Sequence, residues 1–336
     1  MKYDVARVMQ HWSDVDCSSL EWAFHKFPPI RARSCQLVFG EPDPDPEWAQ
    51  KWTVERYFKD SIPFGKCLSV CCGFGSVERA LAGLSVAREF VGIDIAPGAI
   101  EEAARRAKDA NLNNITYRVA DLNSVHLPRD EYDLIWANGA LHHIEQSDKV
   151  ISKLYASLRD GGYLVANEYV GPKYQQIGER QQELVNAAKH LLPADLRGKV
   201  IWPWPHGSSV LSKGIRFIRR RIGQRWRNPV YEHLWERQPV EDFLSSDPSE
   251  CVGSHLVIPT LMKHFDHVDV RYFNGSLAFY ALDDTFYEHF DRRNPRHTAA
   301  LQMLFDLEDA LVSSGELSQD NAHIVCRKGS IGLPRV

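Results

Sequence analysis

The chain has no long apolar run, and this absence excludes the simplest way of crossing a membrane. None of its apolar stretches approaches the ~20 residues that a membrane-spanning helix requires. The first residues, MKYDVARVMQHWSDVD, carry acids early and have no apolar centre, so they do not resemble an export signal. These two absences predict a cytoplasmic protein.

A strong charge of one sign and paired cysteines are also lacking. The formal net charge is −4 over 336 residues, and 44% of the residues are hydrophobic, which is ordinary for a globular protein with a substantial core. This balance argues against a nucleic-acid partner, which would have only one basic stretch, 213–227, to bind. The seven cysteines form no C-x-x-C pair, and reduced thiols are predicted.

The stretch 67–82, CLSVCCGFGSVERALA, joins an apolar run to a glycine turn and then to a helical pattern. Gly73 and Gly75 let the backbone approach a ligand closely. Glu78 stands where a dinucleotide-binding turn has its third glycine, and a carboxylate in the first turn of a helix repels a pyrophosphate. The turn therefore indicates a nucleotide-type pocket of another kind.

Further apolar runs follow, each ending near a polar residue. Asp94 closes a run 21 residues after Gly73, a spacing that suits an acid contacting a ribose diol. The other strand-like runs are 114–119, 132–138 and 158–167. Strands that alternate with helices over 61–171 predict a parallel sheet with helices on both faces.

This ordered series resembles the class I methyltransferases that use S-adenosylmethionine. The resemblance implies an α/β fold with a doubly wound, seven-stranded, mostly parallel sheet and S-adenosylmethionine as the cofactor. It implies that Asp94 contacts the ribose and that Asp121 faces the adenine amino group. The donor pocket that it implies consists of Cys72, Gly73, Gly75, Asp94, Ile95, Asp121, Leu122 and Asn138.

The same resemblance divides the chain into four parts. They are an N-terminal helical cap (1–60), a donor-binding core (61–171), an inserted lid or acceptor-binding region (172–265) and a return to the sheet with an additional helix (266–330). The pattern of 1–60 fits equally well with a helical extension packed outside the sheet. The insertion is rich in aromatic residues and histidine, including Trp202, Trp204, His206, Trp226, His233 and Trp235. The last strand is expected near 323–328, antiparallel to its neighbours.

The basic stretch 213–227 concentrates seven basic residues in fifteen. Ile215, Ile218, Ile222 and Trp226 recur at helical spacing, which predicts a basic amphipathic helix. Such a helix either packs its apolar stripe on the domain with a solvated basic face, or contacts an anionic acceptor, a nucleic acid or a membrane surface.

Two histidines and an acid lie near the predicted ends of the fourth and fifth strands. An LHH followed 25 residues later by Glu168 resembles sugar-tailoring small-molecule O-methyltransferases. The prediction is that His143 accepts the proton of the acceptor hydroxyl, with His142 and Glu168 assisting. The rival is structural, with the histidines bonded to backbone and Glu168 capping a turn. A metal site made of His, Asp and Glu residues is an alternative, but no H-x-x-x-H or comparable ligand spacing is present, so metal-independent transfer is predicted.

These patterns together predict a methyltransferase that acts on a hydroxyl of a small molecule or a glycan by in-line displacement. Asn138-Gly139-Ala140-Leu141 differs from the Asn/Asp-Pro-Pro-aromatic motif of enzymes that methylate nucleic-acid amines. Two alternatives stay open at this point. One is N- or C-methylation of a small metabolite, and the other is a non-catalytic module that binds the donor or associates with RNA.

Overall fold

A computed structural model describes residues 5–14, 23–197, 200–201, 230–231, 235–329 and 332–333. Its centre is a seven-stranded sheet, and the strands are β1 Phe64–Val70, β2 Ala87–Asp94, β3 Ile115–Val119, β4 Tyr132–Asn138, β5 Leu158–Tyr169, β6 His267–Phe273 and β7 Asn321–Arg327. Their order is β3-β2-β1-β4-β5-β7-β6, and β7 alone runs antiparallel to both of its neighbours. The predicted fold class is confirmed, including the antiparallel last strand.

Helices cover both faces of this sheet. They are α1 Val5–Asp14, α2 Ala23–Lys26, α3 Pro28–Phe39, α4 Trp48–Thr53, α5 Ser76–Gly83, α6 Pro97–Asp109, α7 Ser147–Ser157, α8 Glu179–Leu191, α9 Val240–Ser246, α10 Val257–His264, α11 Ala278–Ala281, α12 Asp284–His289 and α13 Pro295–Ser313. A π-helical turn, Val54–Phe58, continues α4, and 3-10 turns occupy Leu141–His143, Lys173–Gln175 and Ser254–Leu256. None of the helices within the described ranges is long and apolar enough to cross a membrane.

The central strands are buried on both faces because successive side chains of a strand point to opposite sides. Ile135 of β4 joins a core formed with α7 and α10, whereas its neighbour Leu134 joins a second core formed with α3 and α5. This double burial explains why β1, β4 and β5 appear in the sequence as near-continuous apolar runs. Because β1 to β5 run parallel, the polar residues that follow these strands lie together at the carboxyl-terminal end of the sheet.

The N-terminal segment packs in two different ways. Helices α3 and α4 contribute to the second core, and part of 23–39 joins a third apolar cluster with α8, α11 and α13. Helix α1 instead packs against α6, and the Arg7 guanidinium donates to the Leu244 and Ser245 carbonyls. The segment therefore combines an outer helical extension with one helix that reaches toward the strand ends.

The predicted insertion adds no strand to the seven-stranded sheet in the part of it that the structure describes. Its two short strands, Val200–Ile201 and Val230–Tyr231, pair only with each other. The predicted basic helix 213–227 lies outside the described residues, as do Trp202, Trp204, His206, Trp226 and His233. The four-part division remains a proposal.

Candidate functional site

The glycine loop after β1 has a backbone that only glycine adopts readily. Gly73 has φ +52° and Gly75 has φ +71°. A Cβ at Gly75 would lie 2.2 Å from the hydroxyl oxygen of Tyr117 on β3, whereas a Cβ at Gly73 would meet no atom within 4 Å. Gly75 therefore permits close packing of the loop on β3, and Gly73 leaves open space beside the strand ends that a ligand can use.

Asp94 joins the end of β2 to this loop. Its two carboxylate oxygens accept backbone N–H groups, Oδ2 from Gly73 and Oδ1 from Ala96, both at 2.9 Å. The residue is only 9% exposed, and burial raises the pKa of its carboxyl while the two backbone donors oppose that shift. The structure thus brings Asp94 and Gly73 together, as their spacing predicted, and each carboxylate oxygen retains acceptor capacity for a ribose hydroxyl.

The other residues predicted to bind the methyl donor lie at the same carboxyl-terminal end of the sheet. Asp121 follows β3 and accepts the backbone N–H of Asn123 at 2.8 Å, which stabilises its own turn, and Leu122 beside it is buried. Asn138 ends β4, while Cys72 and Ile95 follow β1 and β2. A cleft of about 440 Å³ adjoins Asp121. Of the eight predicted residues only Asp121 lines this cleft, and the other seven lie at or after the carboxyl ends of β1 to β4, so that their roles remain predictions.

The environment of Glu78 differs from the one that the sequence suggested. The sequence placed a negative charge at the start of α5, but the residue is fully buried and its carboxylate oxygens have no hydrogen-bond partner. Burial raises the pKa of this carboxyl to about 7. Glu78 is thus a buried group that is half protonated near neutral pH, and it does not present a charge to a ligand.

This burial has a consequence for stability that can be measured. The folded protein binds the Glu78 proton more tightly than the unfolded chain does, because the carboxyl pKa is raised from 4.5 to about 7 on folding. The stabilisation from this proton is complete below pH ~4.5 and is lost as the pH rises through ~7. We expect the difference in unfolding free energy between Glu78→Gln and the unaltered protein to grow by about 2 to 3 kcal/mol from pH 5 to pH 8. Urea unfolding at both pH values measures it. Glu101→Gln, at an exposed position of α6, is the control, and an equal pH response of both variants would contradict the burial argument.

Glu168 is the centre of a buried hydrogen-bond network between β4 and β5. It is 2% exposed, and its Oε1 accepts the backbone N–H groups of Ala140 at 2.8 Å and Leu141 at 3.0 Å. Its Oε2 lies 2.7 Å from Nδ1 of His142. The predicted carboxylate and imidazole pair therefore exists, but with His142. The expectation that Glu168 orients His143 is wrong, because the turn Leu141–His143 directs the ring nitrogen of His142 to that carboxylate.

His143 is held by the segment after α9. Its Nδ1 lies 3.1 Å from Oγ of Ser249, and that hydroxyl donates to Oδ1 of Asp247 at 2.9 Å. Ser249 Oγ also accepts the indole N–H of Trp12 at 3.4 Å, and the Trp12 ring meets the His143 ring edge-on at 5.3 Å. Since the Ser249 proton is already directed to Asp247, its oxygen is an acceptor for Nδ1–H of His143. This arrangement leaves the lone pair of His143 on Nε2.

The pKa values of the two imidazoles are shifted in opposite directions. Burial alone would lower the pKa of His142, but its hydrogen bond to Glu168 and the nearby charges of Glu250 and Asp247 outweigh that and raise the pKa. Burial and the adjacent His142 lower the pKa of His143. His143 is therefore the imidazole that stays neutral near pH 7, and a neutral imidazole can accept a proton.

The histidines lie near the predicted donor residues through the sheet. The LHH turn follows β4 and the glycine loop follows β1, and these two parallel strands pair up to Val70 and Ala137. The sequence interpretation missed three residues here: Trp12, Ser249 and Glu250. They come from α1 and from the loop after α9, more than 100 residues from the LHH motif, and no local pattern marks them.

Comparisons with known proteins agree with this architecture. Residues 67–162 match the family described as "Methyltransferase domain". A malonyl-[acyl-carrier protein] O-methyltransferase of Paenibacillus sp. is 27% identical over 48% of this chain and 55% of its own length. An uncharacterized methyltransferase of Bacillus subtilis, YcgJ, is 23% identical over 48% of this chain and 61% of its own.

A solved S-adenosylmethionine-dependent methyltransferase from Mesorhizobium loti is 17% identical, with a TM-score of 0.40 over 78% of this chain and 90% of that one. The chain spans about half the length of the first curated relatives that it matches. The matched residues run from β1 to the beginning of β5 and include the glycine loop, Asp94, Asp121 and Asn138. The sheet order and the glycine loop therefore lie in a chain whose residues 67–162 match a methyltransferase domain.

Proposed function

We propose that this protein transfers a methyl group from S-adenosylmethionine to a hydroxyl group of a small molecule or a glycan. The observation that carries the proposal is the position of His143. Its Nδ1 is engaged by Ser249, its Nε2 has a lone pair, and it follows β4, the strand that pairs with β1 next to the glycine loop. A hydroxyl acceptor must lose its proton as the new bond forms, and this nitrogen is placed to take it.

The donor side of the proposal relies on the crevice at the strand ends. Asp94 offers acceptors for the ribose hydroxyls, and the open space beside Gly73 admits the ligand to the loop. Asp121 and Leu122 are proposed to border the adenine. When bound, S-adenosylmethionine supplies a methyl group on a sulfonium, which needs no further activation. The protein then has to align the acceptor and remove its proton.

The acceptor side relies on residues that the insertion supplies. Ser249 positions His143, and Glu250 faces both imidazoles, so 172–265 contributes to the acceptor pocket in this proposal. Glu168 orients His142, and the neighbouring positive charge that His142 can carry favours a neutral His143. The Paenibacillus relative is an O-methyltransferase by name, which agrees with an oxygen acceptor.

The proposal is tested by following methyl transfer from isotope-labelled S-adenosylmethionine to a panel of sugars, phenols, carboxylic acids and amines. Mass spectrometry detects the transferred methyl group, and NMR assigns the atom that carries it. We expect transfer to hydroxyl oxygen with one equivalent of S-adenosylhomocysteine released per turnover. Methylation of nitrogen or carbon would contradict the oxygen acceptor. Tight binding of S-adenosylhomocysteine without turnover on a cell extract would indicate a non-catalytic donor-binding module.

A further inference from the structure

Glu250 lies opposite both histidines of the LHH motif. Its Oε1 is 3.7 Å from Nε2 of His142, and its Oε2 is 3.7 Å from Nε2 of His143. In the described part of the chain these three residues are grouped so that one ligand atom from each lies within 4.8 Å of the others. The two rings are tilted by 37° with their centroids 4.1 Å apart, so adjacent residues present their nitrogens to one point.

The hydrogen bonds behind the two rings determine which nitrogens face Glu250. His142 donates its Nδ1–H to Glu168, whose oxygens already accept backbone N–H groups and therefore act as acceptors. His143 donates its Nδ1–H to Ser249, whose own proton is directed to Asp247. Each ring then presents its Nε2, the atom that can hold a proton or a metal ion, to Glu250. The Oε1 atom of Glu250 also accepts the thiol proton of Cys251.

Such an arrangement needs a cation at its centre, either a proton or a metal ion. Two imidazoles and one carboxylate are ligands that zinc and other divalent first-row transition metals prefer, whereas Mg²⁺ and Ca²⁺ prefer oxygen ligands. Metal-bound histidines characteristically donate their second ring N–H to a carboxylate or another fixed acceptor, and Glu168 and Ser249 occupy those positions here. An ion with bonds of about 2.0 to 2.2 Å in tetrahedral geometry holds its ligand atoms about 3.4 Å apart, so the three atoms, which lie within 4.8 Å of one another, have to approach by up to about 1.4 Å.

We propose that His142, His143 and Glu250 bind one divalent transition-metal ion, represented by Zn²⁺, through the two Nε2 atoms and one carboxylate oxygen. Three protein ligands would leave one position of a tetrahedral ion open. The ion would occupy the same lone pair that His143 offers to a proton. Metal-loaded and metal-free protein are therefore distinct states of the site, and the inference stands independently of the proposed methyl acceptor.

The test uses the full-length, tag-free protein after dialysis against a chelator, with no donor or acceptor present. Zn²⁺ is titrated calorimetrically, and bound metal is counted by mass spectrometry after gel filtration. We expect one tight site per chain. Glu250→Gln, which keeps the size of the side chain, should weaken that site at least tenfold. Glu168→Gln should weaken it by about 10- to 100-fold through the orientation of His142.

His264→Asn is the matched control, because that histidine pairs with exposed Asp148 away from the cluster and its loss should leave the tight site unchanged. Melting temperatures identify any variant that fails to fold, and Glu250→Gln keeps the test valid because the replaced carboxylate is half-buried and only its charge is removed. The proposal is overturned if the unaltered protein has no tight site, or if Glu250→Gln binds Zn²⁺ as tightly as the unaltered protein does. The first result would mean that the cluster holds a proton only, and the second would mean that Zn²⁺ binds without the carboxylate of Glu250.

Discussion

His143→Ala should lower the turnover number by about 10²- to 10⁴-fold, the usual contribution of a positioned general base. The loss follows from removing the Nε2 lone pair that takes the acceptor proton, because the remaining residues still bind the donor. Steady-state kinetics at saturating donor and acceptor, on chelator-treated protein, measure the change. The affinity for S-adenosylhomocysteine and the melting temperature should stay close to those of the unaltered protein, since the imidazole makes one side-chain hydrogen bond, to Ser249.

His255→Ala is a suitable control for this substitution. His255 is an exposed histidine on the turn Ser254–Leu256, five residues after Glu250, so its replacement should leave turnover unchanged. If His143→Ala keeps the turnover of the unaltered protein on the true acceptor, the base lies elsewhere. His206 and His233, both in the insertion, would then be the next residues to replace.

Asp94→Ala should weaken the binding of S-adenosylhomocysteine by at least tenfold and by up to about 100-fold. The substitution removes acceptors for two ribose hydroxyls, each worth about 1 kcal/mol, and 1.4 kcal/mol corresponds to a factor of ten. It also leaves the backbone N–H groups of Gly73 and Ala96 without their acceptor, so the glycine loop loses its fixed position. Isothermal titration calorimetry with S-adenosylhomocysteine measures the loss.

The control for Asp94→Ala is Asp109→Ala, which removes an exposed carboxylate at the end of α6 that pairs with Arg105. That variant should bind S-adenosylhomocysteine as the unaltered protein does. A melting curve for each variant separates a local loss of binding from a loss of fold. Unchanged affinity in a folded Asp94→Ala protein would show that the end of β2 does not contact the ribose, and the donor site would have to be placed elsewhere.

Local patterns in the sequence were sufficient for the sheet and for the glycine loop. β1, β4 and β5 are apolar on both faces, so their runs are visible without any knowledge of their partners. Gly73 and Gly75 mark the loop because their positive φ angles need glycine. The position of Asp94 beside the glycine loop could also be predicted from local sequence. One helix and one strand separate it from Gly73, and their lengths determine the spacing along the chain.

Glu78 shows where a local pattern misleads. Its position in the first turn of α5 indicated a charge facing a ligand, because the sequence shows where a residue lies along a helix but not what packs on that side. Burial against the sheet decides the matter and raises the pKa of the carboxyl to about 7. A carboxyl group without hydrogen-bond partners in the core is a property of packing, so only the assembled structure contains it.

The sequence alone determined that this chain forms a doubly wound sheet with a glycine loop at the carboxyl end of its first strand, because strands, turns and their glycines are encoded over short distances. Only the tertiary structure decided how the LHH motif is used. Glu168 binds His142 and Ser249 binds His143, while Glu250 faces both rings from across the crevice. Ser249 and Glu250 lie more than 100 residues from the motif, and contacts at that separation depend on how the loop after α9 packs against the strand ends.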